Sequence, residues 1–150
     1  MKVVIQRVKK VNLYVEGDLI SKINSGLVVY LGIEQGDSIE EAKYIAKKTA
    51  NLRIFEDCQG KMNHSILDYD GEIMLVSQFT LIGDCKRGNR PDFTKAEKPD
   101  KANEMYLYFG KLLEEYGINV SYGVFGAHMK IDQTNDGPVT IIIEKSPNNA

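Results

Sequence analysis

The stretch VSYGVFGAHMKIDQTNDGPVTIIIE (120–144) holds three strand-like runs, at 120–125, 129–134 and 139–144. Runs of this length, rich in β-branched and aromatic residues, read as strands. Three in succession predict antiparallel pairing at this end of the chain. Between the last two lies Asn135-Asp136-Gly137-Pro138-Val139-Thr140. Asn, Asp and Gly are the residues a hairpin connection uses. Proline fits less simply, because it has no N–H donor and fixes φ where a strand is due to begin. Glycine beside it leaves bare backbone next to a stiff ring, which suits close approach to a ligand or a partner chain. An ordinary loop accounts for the same residues equally well at this level.

The rest of the chain alternates strand and helix signals without repeats or linkers. Strands are expected at 3–8, 11–16 and 19–23, the last two flanking a hairpin signal at Gly17-Asp18. The continuous apolar run LVVYLGI (27–33) predicts a strand buried on both faces. Ser38-x-x-Glu41 is a capping box. It opens a helix whose buried face holds Ile39, Ala42, Ile45, Ala46 and Thr49. A short strand is expected at 53–56, a turn at 57–60 and a long strand at 72–81. Residues 82–99 show no periodicity, and an irregular stretch of that length marks function or mobility. Pro99 then starts a helix with Ala102, Met105, Tyr106, Phe109, Leu112, Leu113 and Tyr116 on one face, stopped by Gly117. The tail 146–150 is expected to fray. Together these elements predict an α+β fold of mostly antiparallel sheet with two main helices packed on it, as a single domain over 1–150.

Composition narrows the function. The chain has 150 residues, 43% hydrophobic and 27% charged, with a net charge of −2. It is long enough to bury roughly 70% of the unfolded surface, and no global positive field advertises nucleic acid or membrane. Any polyanion must therefore be met by a local patch. No apolar run reaches membrane-spanning length, and the N-terminus does not read as a signal peptide. The expectation is a soluble, cytoplasmic protein without a membrane partner. Cys58 and Cys85 are expected as free thiols. His64 and His128 lie in no metal-ligand spacing, so no metal and no cofactor are expected.

Two segments carry chemistry. Ser77-Gln78-Phe79-Thr80-Leu81 ends an apolar strand, where Ser77 and Phe79 would face one side and Gln78 and Thr80 the other. Its hydroxyls and amide are candidates for a polar pocket floor, although Thr and Phe are also simply good strand formers. A histidine-based triad is not supported, since no G-x-S-x-G elbow is present. Lys86-Arg87-x-x-Arg90 then packs three cations together in the irregular stretch, enough for a few phosphates and too few for a long duplex.

SQFTL at 77–81 and NDGPVT at 135–140 together resemble the paired signatures of the D-aminoacyl-tRNA deacylases. VIQRV at 4–8, NLRIFED at 51–57, GKMN at 60–63, KRGNRP at 86–91 and FGA-x-M at 125–129 resemble further blocks of that family, so the likeness runs the full length. It implies a hydrolase that cleaves the ester joining a D-amino acid to the 3′ end of tRNA. Such an enzyme serves chiral proofreading and translation quality control. Glycyl-tRNA mischarged on tRNA(Ala) is an implied second substrate. The resemblance also implies a homodimer in which Gly137-Pro138, joined by a cis bond, enters the partner's active site. Arg7 resembles the residue that steadies this dipeptide, and Phe125 and Met129 resemble pocket-lining positions. Ser77, Gln78, Phe79 and Thr80 take the catalytic positions, and Lys86, Arg87 and Arg90 the tRNA-binding ones. His128 departs from the family, which often has an acidic residue there, and Cys85 and Asp92 fall in variable places.

The implied chemistry has a physical logic. Enantiomers share side-chain chemistry, so rejecting one needs a rigid probe near Cα, which a fixed Gly-Pro supplies. Achiral glycine has nothing to clash with it. For the chemical step, backbone N–H groups near Phe79 and Thr80 would hold the oxyanion, and the ribose 2′-OH of the tRNA would assist an attacking water. The alternative is Thr80 as nucleophile, for which the sequence offers no convincing base. A non-catalytic module that binds aminoacyl-tRNA is the competing class, and the intact signature blocks argue against it.

Overall fold

A computed structural model describes residues 1–147. Residues 148–150 of the expected fraying tail lie outside the described residues.

The first strand, β1 (Lys2–Val15), runs uninterrupted where two shorter strands were expected. A two-residue turn, Glu16 at φ +51° and Gly17 at φ +83°, returns the chain into β2 (Asp18–Ile23). Positive φ at both turn residues matches the right-handed twist of the flanking strands. The turn therefore sits one residue earlier than Gly17-Asp18, with Val15 opposite Asp18. After two residues β3 (Gly26–Gly32) continues along the same side of β1, pairing antiparallel from Val8–Gly26 to Lys2–Gly32. The double burial expected for 27–33 holds, with only Tyr30 half-exposed within the strand.

Helix α1 (Ile39–Asn51) opens on the anticipated capping box, with the Ser38 side chain and Glu41 exchanging bonds with each other's backbone. Its buried face holds Ala42, Ile45, Ala46 and Thr49, whereas Ile39 lies outward at 47% exposure. A small hairpin follows, β4 (Phe55–Glu56) with β5 (Met62–His64), and then a single-turn helix α2 (Ile66–Tyr69) that periodicity does not signal. Helix α3 (Pro99–Glu115) begins with proline in its first turn and ends before Gly117 at φ +86°. Strands β6 (Glu72–Ser77) and β7 (Asn119–Tyr122) flank it in sequence, and β8 (Lys130–Glu144) closes the described chain.

The fold is α+β, with one main sheet in the order β2-β1-β3-β6-β7 and β8 paired to β1. The pairs β1–β2, β1–β3, β1–β8 and β4–β5 are antiparallel. β3–β6 and β6–β7 are parallel. Parallel neighbours need long crossovers, and α1 and α3 supply them. α1 and α3 pack on one sheet face over Val3, Ile5, Leu27, Val29, Leu31, Ile73 and Leu75. Fully burying a side chain such as Phe109 of α3 stabilises by about 1.5–3 kcal/mol. The other face carries Val28, Met74 and Val76, covered where β1 curls over with Val8, Val11 and Leu13. That curl brings β2 across, and the Ser21 hydroxyl donates to the Tyr122 carbonyl at 2.8 Å.

One polar cluster lies inside this core. The Met1 ammonium contacts Asp37 at 2.9 Å (Oδ1) and 2.8 Å (Oδ2) and donates to the Lys145 carbonyl at 2.8 Å. Asp37 Oδ2 also accepts the Glu34 N–H at 2.7 Å. Burial pushes the Asp37 carboxyl up, and these partners pull only part of the way back.

Candidate active site

β6 is buried along its apolar stretch because it lies between β3 and β7. Both neighbours stop pairing near its C-terminal end, β7 at Leu75 and β3 at Ser77. Without a ladder to continue, the strand ends at Ser77 and not at the expected Leu81. Gln78 donates its N–H to the Leu31 carbonyl at 2.7 Å, and the chain folds into one 3-10 turn, Phe79–Ile82. Leu81 N–H to Gln78 O at 3.2 Å and Gly83 N–H to Thr80 O at 3.1 Å hold that turn. This corrects the expected alternation. Ser77, Gln78, Phe79 and Thr80 do not divide between two faces; all four line one cleft.

The cleft has a volume of about 470 Å³. Leu31 and Ile33 form its floor, Phe125, Gly126, Ala127 and Met129 one wall, and Phe93, Ala96 and Glu97 part of the other. Phe79 is 57% exposed at the mouth and meets Phe93 edge-on, with ring centroids 5.2 Å apart. The two rings together leave a contiguous apolar patch at the mouth, and it is patches rather than single exposed residues that mark binding surfaces. Phe93 was not anticipated; an aromatic residue inside a charged irregular segment was its only signal.

The cleft is poor in acid–base groups. Glu97 is its only ionisable lining residue among those described. That carboxylate is already engaged, accepting the Lys98 N–H at 2.9 Å and lying 3.6 Å from the Lys101 ammonium. The Thr80 hydroxyl takes the Gln78 side-chain amide as its partner. The Phe79 and Thr80 N–H groups open the turn and donate to no backbone carbonyl among the described residues. Neither histidine lines the cleft. His64 pairs with Asp68 at 3.8 Å, and His128 lines a separate recess beside Tyr14 and Lys130. Behind the cleft, Tyr106 donates to the Leu75 carbonyl at 2.8 Å, and burial pushes its phenol far up, so it stays protonated. No group of three or more His, Cys, Asp or Glu among the described residues is placed to hold a metal ion.

Gly137 and Pro138 do not line this cleft in the same chain. They lie on β8, which is one strand and not the expected hairpin. Against β1, Gln6 pairs with Thr140 and Val8 with Asn135, so residues 136–139 bulge outward opposite Arg7 alone. Turn-forming residues serve a bulge as well as a hairpin, because both interrupt the ladder with backbone that must turn aside. The Gly137–Pro138 bond is cis, Gly137 has φ +135°, and both residues are exposed. Arg7 is 5% exposed beneath them. Its Nε donates to the Asp136 carbonyl at 3.1 Å and lies 3.5 Å from Asp136 Oδ2. Its Nη1 donates to the Ile54 carbonyl at 2.7 Å, and Nη2 lies 3.7 Å from Glu56 Oε1. A buried guanidinium needs such partners, and here they fix the backbone just before Gly137.

Lys86, Arg87 and Arg90 also lie outside the cleft. They sit exposed on a loop closed by reciprocal Asp84–Asp92 backbone bonds of 2.8 and 2.9 Å. The chain returns from that loop through Phe93 to the cleft.

The family model described as D-Tyr-tRNA(Tyr) deacylase matches residues 4–144. D-aminoacyl-tRNA deacylases of Bacillus cereus (strain B4264) and Bacillus cytotoxicus are each 49% identical over 144 residues, 96% of this chain and 99% of theirs. The solved structure of c-Myc DNA unwinding element binding protein is 40% identical with a TM-score of 0.91, covering 97% of this chain and 99% of its own. A structure described as a "probable eukaryotic D-amino acid tRNA deacylase" has a TM-score of 0.81 at 16% identity, covering 95% of this chain and 97% of its own. The latter is a likeness of fold alone.

Proposed function

The chain belongs to the D-Tyr-tRNA(Tyr) deacylase family and is an ester-hydrolysing enzyme; from that premise we propose how its residues divide the work on D-aminoacyl-tRNA. The aminoacyl end of the tRNA enters the cleft beside the Phe79–Ile82 turn. The ester carbonyl oxygen points at the Phe79 and Thr80 N–H groups, which hold the charge that develops on it. Water attacks the carbonyl carbon, the bond to the ribose 3′-oxygen breaks, and that oxygen takes the proton. The neighbouring 2′-OH relays it. The observation that carries this reading is the cleft itself: free backbone donors and, among the described residues, no uncommitted acid or base. Chemistry without a side-chain base must draw on the backbone and the substrate.

Thr80 as nucleophile is the second reading, and its hydroxyl's only side-chain partner among the described residues, the Gln78 amide, argues against it. An amide donor cannot take the proton that a nucleophile must lose. Thr80→Ala is expected to fold and to keep deacylation within about fivefold of the parent. A fall of about 10⁴ with the fold intact would reinstate the nucleophile.

The selectivity reading is a homodimer in which Gly137 and Pro138 of one subunit enter the cleft of the other. What supports it is the exposed bulge braced by Arg7, together with the outer edge of β8. That edge is unpaired among the described residues and carries Ile142 at 63% exposure. An open edge of this length is a template for pairing with another chain. The probe would exclude the L-enantiomer at Cα and pass glycine, so glycyl-tRNA on tRNA(Ala) is a second substrate. Lys86, Arg87 and Arg90 would meet tRNA phosphates. The activity belongs to translation quality control in the cytoplasm. Incubation with D-tyrosyl-tRNA and L-tyrosyl-tRNA tests the whole: the D-ester should be lost at least about 100-fold faster. Equal survival of both would return the chain to a non-catalytic aminoacyl-tRNA-binding module.

A further inference from the structure

The 3-10 turn that walls the aminoacyl cleft has a second side. Phe79 and Thr80 face that cleft, whereas Leu81 and Ile82 line a larger and more polar one of about 650 Å³. Four lysines line it, Lys2, Lys86, Lys95 and Lys145, in a chain whose net charge is −2. The carboxylates of Glu34, Asp84 and Glu144 line it too. Two lysines are committed: Lys2 pairs with Glu144 at 2.6 Å, and the Lys145 ammonium lies 5.1 Å above the Tyr44 ring. Asp84 is also engaged, accepting the Lys86 backbone N–H at 2.9 Å. The Lys86 and Lys95 ammonium groups lie within ion-pair distance of no carboxylate among the described residues, Lys95 acting on Asp92 only at longer range, and both residues are exposed.

We infer that Lys86 and Lys95 form a phosphate subsite for the single-stranded 3′ end of the tRNA, across the Phe79–Ile82 turn from the aminoacyl cleft. The inference rests on the deacylase reading and adds Lys95 and a path for the strand. Four residues of 3-10 helix span roughly 6 Å, within the reach of one nucleotide. A strand whose terminal ester sits at Phe79 and Thr80, and which leaves across this turn, brings its next phosphates over Leu81 and Ile82. Lysine suits that position, since a phosphate met as a point charge needs no planar fork. Arg87 and Arg90 continue the positive charge outward along the same loop.

The test compares the parent with the Lys86→Ala/Lys95→Ala pair on two uncharged tRNAs, one intact and one trimmed of its three 3′-terminal nucleotides. Affinity for intact tRNA is expected to fall about tenfold and the salt slope of log K to shrink by about 1.4, for two single-strand phosphates. The trimmed tRNA should lose less than about twofold. Lys86→Arg/Lys95→Arg keeps the charge and should recover most of the affinity, which separates the effect from misfolding. Equal losses on the two tRNAs would move the lysines to the tRNA body and overturn the subsite, as would an unchanged salt slope. The deacylase reading fails separately, through a parent protein that leaves D-aminoacyl-tRNA intact, and the binding comparison reads the phosphate subsite in either case.

Discussion

Gly137→Ala is expected to fold normally and to lose about 100-fold in D-aminoacyl-tRNA deacylation. Gly137 has φ +135°, a region that L side chains rarely adopt. A Cβ added there would lie 2.8 Å from the Val139 backbone N and 2.9 Å from Val139 Cγ2. Backbone cannot give way as a flexible side chain does, so residues 136–139 must shift. They bulge out of the β1 ladder and Val139 packs only against the margin of the core, so the shift loosens that contact but leaves the sheet paired. Under the proposed arrangement these residues probe Cα of the substrate in the partner's cleft, where a displacement of about 1 Å costs on the order of 10² in rate. The check is a single-turnover rate on D-tyrosyl-tRNA beside a urea midpoint. Full activity in a folded variant would remove the bulge from the selectivity mechanism.

The second large effect concerns stability. Asp37→Asn leaves the Met1 ammonium buried without a counter-charge, because the Asp37 carboxylate is its partner at 2.8 Å and both groups are essentially inaccessible. Breaking a buried pair from one side costs about 3–5 kcal/mol. For a domain of this size that corresponds to a fall in Tm of roughly 10 °C. Thermal unfolding followed by circular dichroism measures it, and a fall below about 2 °C would mean that the amide satisfies the ammonium as well as the carboxylate does. Asp37 follows Leu31 of β3 and Ile33 just beyond it, which floor the cleft, so activity should fade at a lower temperature in step with the fold.

Local signals were readable wherever the determining interactions were local. Ser38 and Glu41 bond each other's backbone three residues apart, so the start of α1 is written in the chain. Pro99 and Gly117 delimit α3 for the same reason. The double burial of β3 was legible because a strand between two neighbours needs apolar residues on both faces. What could not be read is where pairing stops. β6 ends at Ser77 because its neighbours run out of ladder, which nothing in SQFTL declares. β8 passes through Asn135–Thr140 as a bulge because Arg7, far away in sequence, holds the Asp136 carbonyl. Parallel pairing of β6 with β3 and β7 likewise depends on where the helices carry the chain. Arg7 and the SQFTL positions were reached through resemblance, and their chemistry alone left them open. Phe93 and Lys95 lie in a stretch without periodicity, where only the folded chain reveals what they adjoin.

β1 and β8 are neighbours in space, with Lys2 opposite Glu144. Contacts that distant in sequence are the slowest to form and await synthesis of the far end. A nascent chain that halts before residue 129 has Arg7 without Asp136 and β1 with a naked flank. Such a fragment is prey for proteases and a seed for aggregation, and it carries neither the proposed chiral probe nor Met129 of the cleft. Under the proposed arrangement, interrupted translation removes the selectivity element and part of the cleft together.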